Sequence, residues 1–240
     1  MSARGLAALG GAALLAACTT QSLSLFPEPA AGPAEAVPAP APVPATTQIS
    51  AAVPSGLTYV APITPIARAE SALVDSSPAA VLATVRKRLE AERFTVAYSE
   101  REDVVVATHR GDADPYVDCG TIFVFERGMN APPTRIPAAA EQATISAVPG
   151  QPIPRAERAM RLDARVTVQV APEGRRARVT SRADYVLTKL VTLEGRPGPQ
   201  REVVAFASGA EGKFGKGTTC RPTGLLERLP LAGLPLVPES

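Results

Sequence analysis

The only histidine in this chain of 240 residues, His109, is followed within nine positions by Asp112, Asp114 and Asp118. An imidazole beside carboxylates is the raw material of a metal site or a general base. Zinc takes three or four protein ligands, drawn mostly from Cys and His, and here there is no second His and no closely spaced Cys pair. Asp112 and Asp114 stand around Ala113 just ahead of Pro115, a turn composition that accounts for both without a metal. A catalytic triad would have to use His109 as its base, yet no Gly-x-Ser-x-Gly elbow is present to supply the nucleophile. The run Gly209-Ala-Glu-Gly-Lys-Phe-Gly-Lys-Gly217-Thr218 fails as a phosphate loop. That motif sets a glycine where this chain has Ala210 and a hydroxyl where it has Gly217, so the run is read as a flexible lead-in to Cys220. No catalytic residue, metal ligand or cofactor-binding residue is assigned, and the chain is expected not to be an enzyme.

Arginine offers a different chemistry. Met160, Leu162, Ala164, Val166, Val168 and Val170 alternate with Arg161, Asp163, Arg165, Thr167 and Gln169. Beyond Pro172-Glu173-Gly174-Arg175 the pattern resumes, with Ala177, Val179, Ala183, Tyr185 and Leu187 alternating with Arg176, Arg178, Thr180, Arg182 and Asp184. This is an antiparallel hairpin with one wet face. On that face Arg161, Arg165, Arg176, Arg178 and Arg182 outnumber Asp163 and Asp184, and guanidinium forks suit phosphate and carboxylate. The face is therefore a candidate surface for an anion or an acidic partner, with an ordinary solvated sheet face as the alternative. Pairing Val170 with Ala177 would set Arg165 opposite Arg182 and Asp163 opposite Asp184, a repulsive arrangement that diagonal pairs would have to relieve.

The elements that must carry this hairpin are legible on both sides of it. Ser77-Pro78 starts a helix, with Ser as N-cap and Pro in the first turn, and Val81, Leu82, Val85 and Leu89 give it an apolar face to about Glu92. Strands are expected at Phe94 to Tyr98, Val104 to Thr108 and Tyr116 to Phe125. A long proline-rich loop follows over 127–158, with at most one short strand near Thr144 to Val148. Glu202 to Ser208 supplies a further strand, and Thr223 opens a short helix that Pro230 ends. The expected class is α+β: a mainly antiparallel sheet of about five to six strands, an N-terminal amphipathic helix and a short C-terminal helix.

Cysteine usage bears on the compartment. Leu15-Ala16-Ala17-Cys18 closes an apolar run from Leu6 that follows Arg4, the three-part layout of a secretory signal. The run is too short to span a bilayer, which takes about 20 apolar residues. It resembles the lipobox of bacterial lipoproteins, which implies cleavage after residue 17, acylation of Cys18 and a membrane anchor. In that family an aspartate after the acylated cysteine tends to retain the protein at the inner membrane; Thr19 stands there, which implies the outer membrane, periplasmic face. Residues 18–70 are poor in bulky residues and contain Val37-Pro-Ala-Pro-Ala-Pro-Val-Pro44, a semi-rigid tether of polyproline type. The folded domain is expected over 71–234, with a tail over 235–240. Cys119 and Cys220 are then an even pair in an oxidising compartment and are expected to be bonded, two buried thiols being the alternative.

Tyr116-Val-Asp-Cys119-Gly120, the hairpin, and Gly217-Thr-Thr-Cys220-Arg-Pro-Thr-Gly224-Leu-Leu-Glu227 together resemble a group of uncharacterised proteobacterial envelope lipoproteins. The resemblance implies the disulfide and the outer-membrane setting, and no activity. The order helix, sheet, helix is also similar to the helix-grip domains of an accessory lipoprotein of the β-barrel assembly machinery, a likeness of architecture alone. A net charge of +2 without a block of one sign argues against nucleic acid. The expected partners are the membrane, through the lipid, and an envelope protein complex or an anionic envelope polymer. The expected role is binding or scaffolding, with an accessory subunit of an outer-membrane assembly or transport complex, or a cell-wall hydrolase, as alternatives.

Overall fold

The computed structural model describes residues 56–97, 99, 101–125, 132–145, 155–215 and 217–238. Cys18, the signal and most of the expected tether lie outside them. Among the described residues no helix is long and apolar enough to cross a membrane. In chain order the elements are β1 (Leu57–Val60), β2 (Glu70–Val74), α1 (Pro78–Ala91), β3 (Thr95–Ala97), β4 (Val104–Gly111), β5 (Val117–Asp118) and β6 (Thr121–Val124). They continue with β7 (Thr134–Pro137), β8 (Gln142–Ile145), β9 (Ala156–Glu173), β10 (Arg176–Leu193), β11 (Gln200–Ala207), β12 (Gly212–Lys213), β13 (Thr219–Pro222) and α2 (Leu225–Arg228), which runs into a single 3-10 turn over Leu229–Leu231.

The class is α+β, but the strands do not form the single sheet of five or six that the pattern predicts. They make one seven-stranded antiparallel sheet, β11-β10-β9-β4-β3 with β2 beside β10 and β8 beside β9, and two three-stranded sheets, β1-β6-β7 and β12-β13-β5. β2, β12 and β13 are strands that the pattern does not predict, and three further differences contribute. β1 lies within the stretch read as tether, because Leu57, Tyr59 and Val60 supply enough side chain to pair with β6. The loop expected over 127–158 yields both β7 and β8, and β9 already begins at Ala156. The strand expected over Tyr116 to Phe125 breaks into β5 and β6 at Gly120, whose φ is +77°. A Cβ there would stand 2.1 Å from the Val60 carbonyl oxygen, so only glycine lets β1 approach so closely.

The hairpin organises the large sheet. β9 and β10 pair along all 18 residues of each, joined by the two-residue loop Gly174-Arg175. Gly174 takes φ +62°, the backbone of the primed turns whose twist matches that of paired strands. This register puts Val170 opposite Val179 and Pro172 opposite Ala177, two residues from the expected pairing. A shift of two leaves every side chain on its predicted face. It also removes the like-charge repulsion: Arg165 lies opposite Asp184, Asp163 opposite Val186 and Arg182 opposite Thr167.

One face of the sheet is covered. The even positions of β9 and odd positions of β10 point into a core with Val81, Val85 and Leu89 of α1, together with Leu226, Leu231 and Leu234. The helix is capped as predicted, Ser77 Oγ accepting from the Ala80 N–H. It ends in a left-handed Arg93 (φ +62°), with Phe94 N–H donating to Leu89 C=O and Arg93 N–H to Glu90 C=O. At the far end of the same face β6 and β7 bring Val124 and Ile136 against Ile145, Ala156, Val191 and Leu193. Cys119 and Cys220 are bonded, joining the β5 and β13 regions across 101 residues of chain. The other face remains exposed or half-exposed along most of its length, from Thr108 and Arg110 through Arg161 and Arg182 to Arg201 and Val203.

Candidate functional site

The five arginines predicted for the wet face, Arg161, Arg165, Arg176, Arg178 and Arg182, do sit on the open face, but they do not form one cluster. Arg176 and Arg178 are at the turn end. Arg176 lies 3.5 Å from Asp75, and Arg178 makes a two-pronged contact with Glu173 at 2.7 and 3.2 Å. Both are therefore tied to carboxylates already. Arg182 and Arg165 occupy the middle, Arg165 against Asp184 on one side and Thr108 on the other. Only Arg161 reaches the opposite end.

There the structure adds two arginines that the alternating pattern of the hairpin could not contain. β4 runs on through His109, and its register sets Arg110 opposite Asp163, to which its Nε donates a hydrogen bond. β11 sets Arg201 opposite Leu190. Arg110, Arg161 and Arg201 thus line one depression of about 380 Å³ with Asp163, Thr188 and Leu190. Three guanidinium groups face one carboxylate, with a hydroxyl between them. The depression thus holds an excess of positive charge, with one carboxylate, Asp163, among three guanidinium groups. The strands expected from the sequence stop at Thr108 and start at Glu202, which leaves Arg110 and Arg201 just outside them. No signal in the sequence short of the strand register joins them to Arg161.

The depression opens into a longer track. Leu190 also borders a groove of about 470 Å³ lined by Gln142, Thr144, Ala159, Thr192 and Pro199, among others. That groove shares Glu157 and Thr192 with a third depression of about 230 Å³, completed by Arg155 and Glu194. The track follows the outward positions of β9 and β10, between β8 and the start of β11.

His109 points to the covered face, between the rings of Phe94 and Tyr116 at centroid distances of 4.9 and 5.0 Å. Burial holds its imidazole below the usual histidine range. Asp114 is pushed above the usual carboxylate range by burial and then by the charges of Asp112 and Asp118. Asp112 accepts from the Asp114 N–H and Asp118 from the Gly120 N–H, the bonds of local turns. Among the described residues no three His, Cys, Asp or Glu side chains are placed to hold a metal ion. The glycine run is built into the fold: Gly212 pairs with Cys220, and a Cβ on it would meet the Phe206 ring at 2.3 Å. At Gly212 the glycine serves close packing, whereas a Cβ at Gly215 or Gly217 would meet nothing within 4 Å.

Two buried polar groups went unnoticed in the sequence. Glu227 is fully buried and accepts hydrogen bonds from Tyr185 and Ser208. Arg158 is 6% exposed on the covered face, and among the described residues its Nη1 and Nη2 have no hydrogen-bond partner. Glu227 borders none of the depressions described above, and Arg158 lines the groove of about 470 Å³ with its guanidinium nitrogens closed off from solvent, so the open-face track is the better candidate. Comparison with models of protein families, with curated proteins and with solved structures finds no match to this chain.

Proposed function

We propose that this chain is a lipid-anchored binding module of a bacterial envelope, without catalysis of its own, which holds an anionic group at the Arg110, Arg161 and Arg201 end of its open face. The observation that carries the reading is the excess of three guanidinium groups over one carboxylate in a single depression beside Thr188. Phosphate and carboxylate are the anions whose geometry a guanidinium fork matches. The lipobox resemblance sets the scene: a protein acylated at Cys18, on the periplasmic face of the outer membrane, with envelope polymers and envelope protein complexes as the partners in reach. His109, the one imidazole of the chain, faces the other way, so the open track has no histidine to serve as the base of a serine- or cysteine-type hydrolase.

The test is equilibrium binding of inorganic phosphate to the full chain at low ionic strength. The double variant Arg161→Gln with Arg201→Gln should bind roughly tenfold more weakly, each exposed charge contact being worth up to about 1 kcal/mol. Arg176→Gln with Arg178→Gln, at the turn end, should bind as the parent does. Equal phosphate binding by the parent and the first double variant would sink the proposal.

A further inference from the structure

The track on the open face has opposite charges at its two ends. At one end stand Arg110, Arg161 and Arg201 with the single acid Asp163. At the other, Glu157 and Glu194 stand with the single base Arg155. Arg155 and Glu157 are 3.6 Å apart and both more than half exposed, a contact too loose and too wet to neutralise the pair. Between the ends the outward positions of the hairpin are uncharged, and Arg158, which also lines the groove from β9, keeps its guanidinium nitrogens buried. Gln142, Thr144 and Thr192 offer hydrogen-bonding groups, and Ala159, Leu190 and Pro199 offer apolar surface.

Arg161 and Glu157 are four residues apart on β9, and outward positions of one strand share one line. At about 3.3 Å per residue the charged ends are roughly 13 Å apart. An extended peptide has the same rise, so about four of its residues cover that distance. Its amides would match Gln142, Thr144 and Thr192, and its small side chains would lie on Ala159, Leu190 and Pro199.

We infer that the track binds a short, extended, zwitterionic peptide of about four residues, its carboxylate among Arg110, Arg161 and Arg201 and its amine between Glu157 and Glu194. The inference rests on the anion-binding reading above and adds to it the second, acidic end and the spacing between the two. A phosphate-bearing lipid would use the arginines alone and leave the acidic end without a role.

The experiment titrates the full chain with tetra-alanine carrying free termini, with its N-acetyl form, with its C-amide form, and with phosphatidylglycerol vesicles. The free peptide should bind about three- to fivefold more tightly than the N-acetyl form, the scale of one exposed charge contact. Glu157→Gln should remove that advantage while leaving the N-acetyl peptide's affinity unchanged. Arg161→Gln should weaken the free and N-acetyl peptides together. If free and N-acetyl peptides bind alike, or the vesicles bind and the peptides do not, the peptide inference is overturned while anion binding stands. If neither peptide, vesicle nor inorganic phosphate binds, both readings fall.

Discussion

The Tyr185 hydroxyl lies 2.8 Å from one carboxylate oxygen of Glu227 and 3.0 Å from the other, so a residue of the central hairpin grips the C-terminal helix from beneath. Ser208, the residue after β11, donates to the same carboxylate at 2.7 Å and accepts from the Ala183 N–H. Tyr185 also stacks on Phe206 with ring centroids 5.1 Å apart. Burial, and then the charge of Glu227, push its phenol well above the ordinary range.

That shift has a sign. An unfolded tyrosine ionises near pH 10 and the folded one does not, so above about pH 10 the unfolded state holds fewer protons and stability falls as pH rises. Tyr185→Phe should flatten this alkaline limb while lowering stability at pH 7, because Glu227 loses a donor in a buried site. The loss at pH 7 should be about 1 to 3 kcal/mol. Urea unfolding at pH 7 and pH 10.5 measures both, and an alkaline limb unchanged by the substitution would refute the assignment.

Arg158 should behave in the opposite way. Its guanidinium is buried, and desolvation holds its pKa below the ordinary arginine range. A buried charge without a partner costs several kcal/mol, and apolar replacements of similar volume are often stabilising. Arg158→Met is expected to raise stability by about 1 kcal/mol or more. A fall in the melting temperature would show that the guanidinium has a partner that offsets its burial.

Two glycines in positive φ separate conformational cost from collision. At Gly174 a Cβ would meet nothing within 4 Å, whereas at Gly120 it would strike the Val60 carbonyl oxygen. Gly174→Ala should cost about 1 kcal/mol from the left-handed backbone alone. Gly120→Ala adds the clash and should cost about 3 kcal/mol or more, as strained, overpacked sites do. Denaturant midpoints of the two variants decide it, and equal losses would count against the close approach of β1.

His109 predicts an acid limb. Its folded pKa is below the ordinary 6.5 because of burial, so below about pH 6.5 the unfolded state binds a proton that the folded state refuses. Stability is then full above pH 6.5 and is lost as pH falls through the folded value. His109→Phe keeps a ring between Phe94 and Tyr116 and should reduce the fall in melting temperature between pH 7.5 and pH 5. An identical fall in parent and variant would place the acid sensitivity elsewhere.

Much of the fold was written locally. The faces of the hairpin, the Ser77 cap and the stripe Val81, Val85, Leu89 follow from periods of 2 and 3.6, which neighbouring residues carry by themselves. Arg161, Arg165, Arg176, Arg178 and Arg182 were placed on their face for the same reason. Pairing was not local. Only the turn at Gly174-Arg175 set the register, two residues from the sequence expectation, and only that register opposed Arg165 to Asp184. β1, β2, β7, β12 and β13 were missed, and β8 was placed only at its end, because strands of two to five residues carry too little alternation to stand out. The candidate site depended wholly on such distant pairings. Arg110, Arg161 and Arg201 come from β4, β9 and β11, whose meeting is decided by backbone hydrogen bonds between strands far apart in the chain. The sequence by itself determined which side chains face solvent, because that depends on each residue's immediate neighbours. Which of them share a site was decided by tertiary structure, because a sheet brings together residues that its sequence separates.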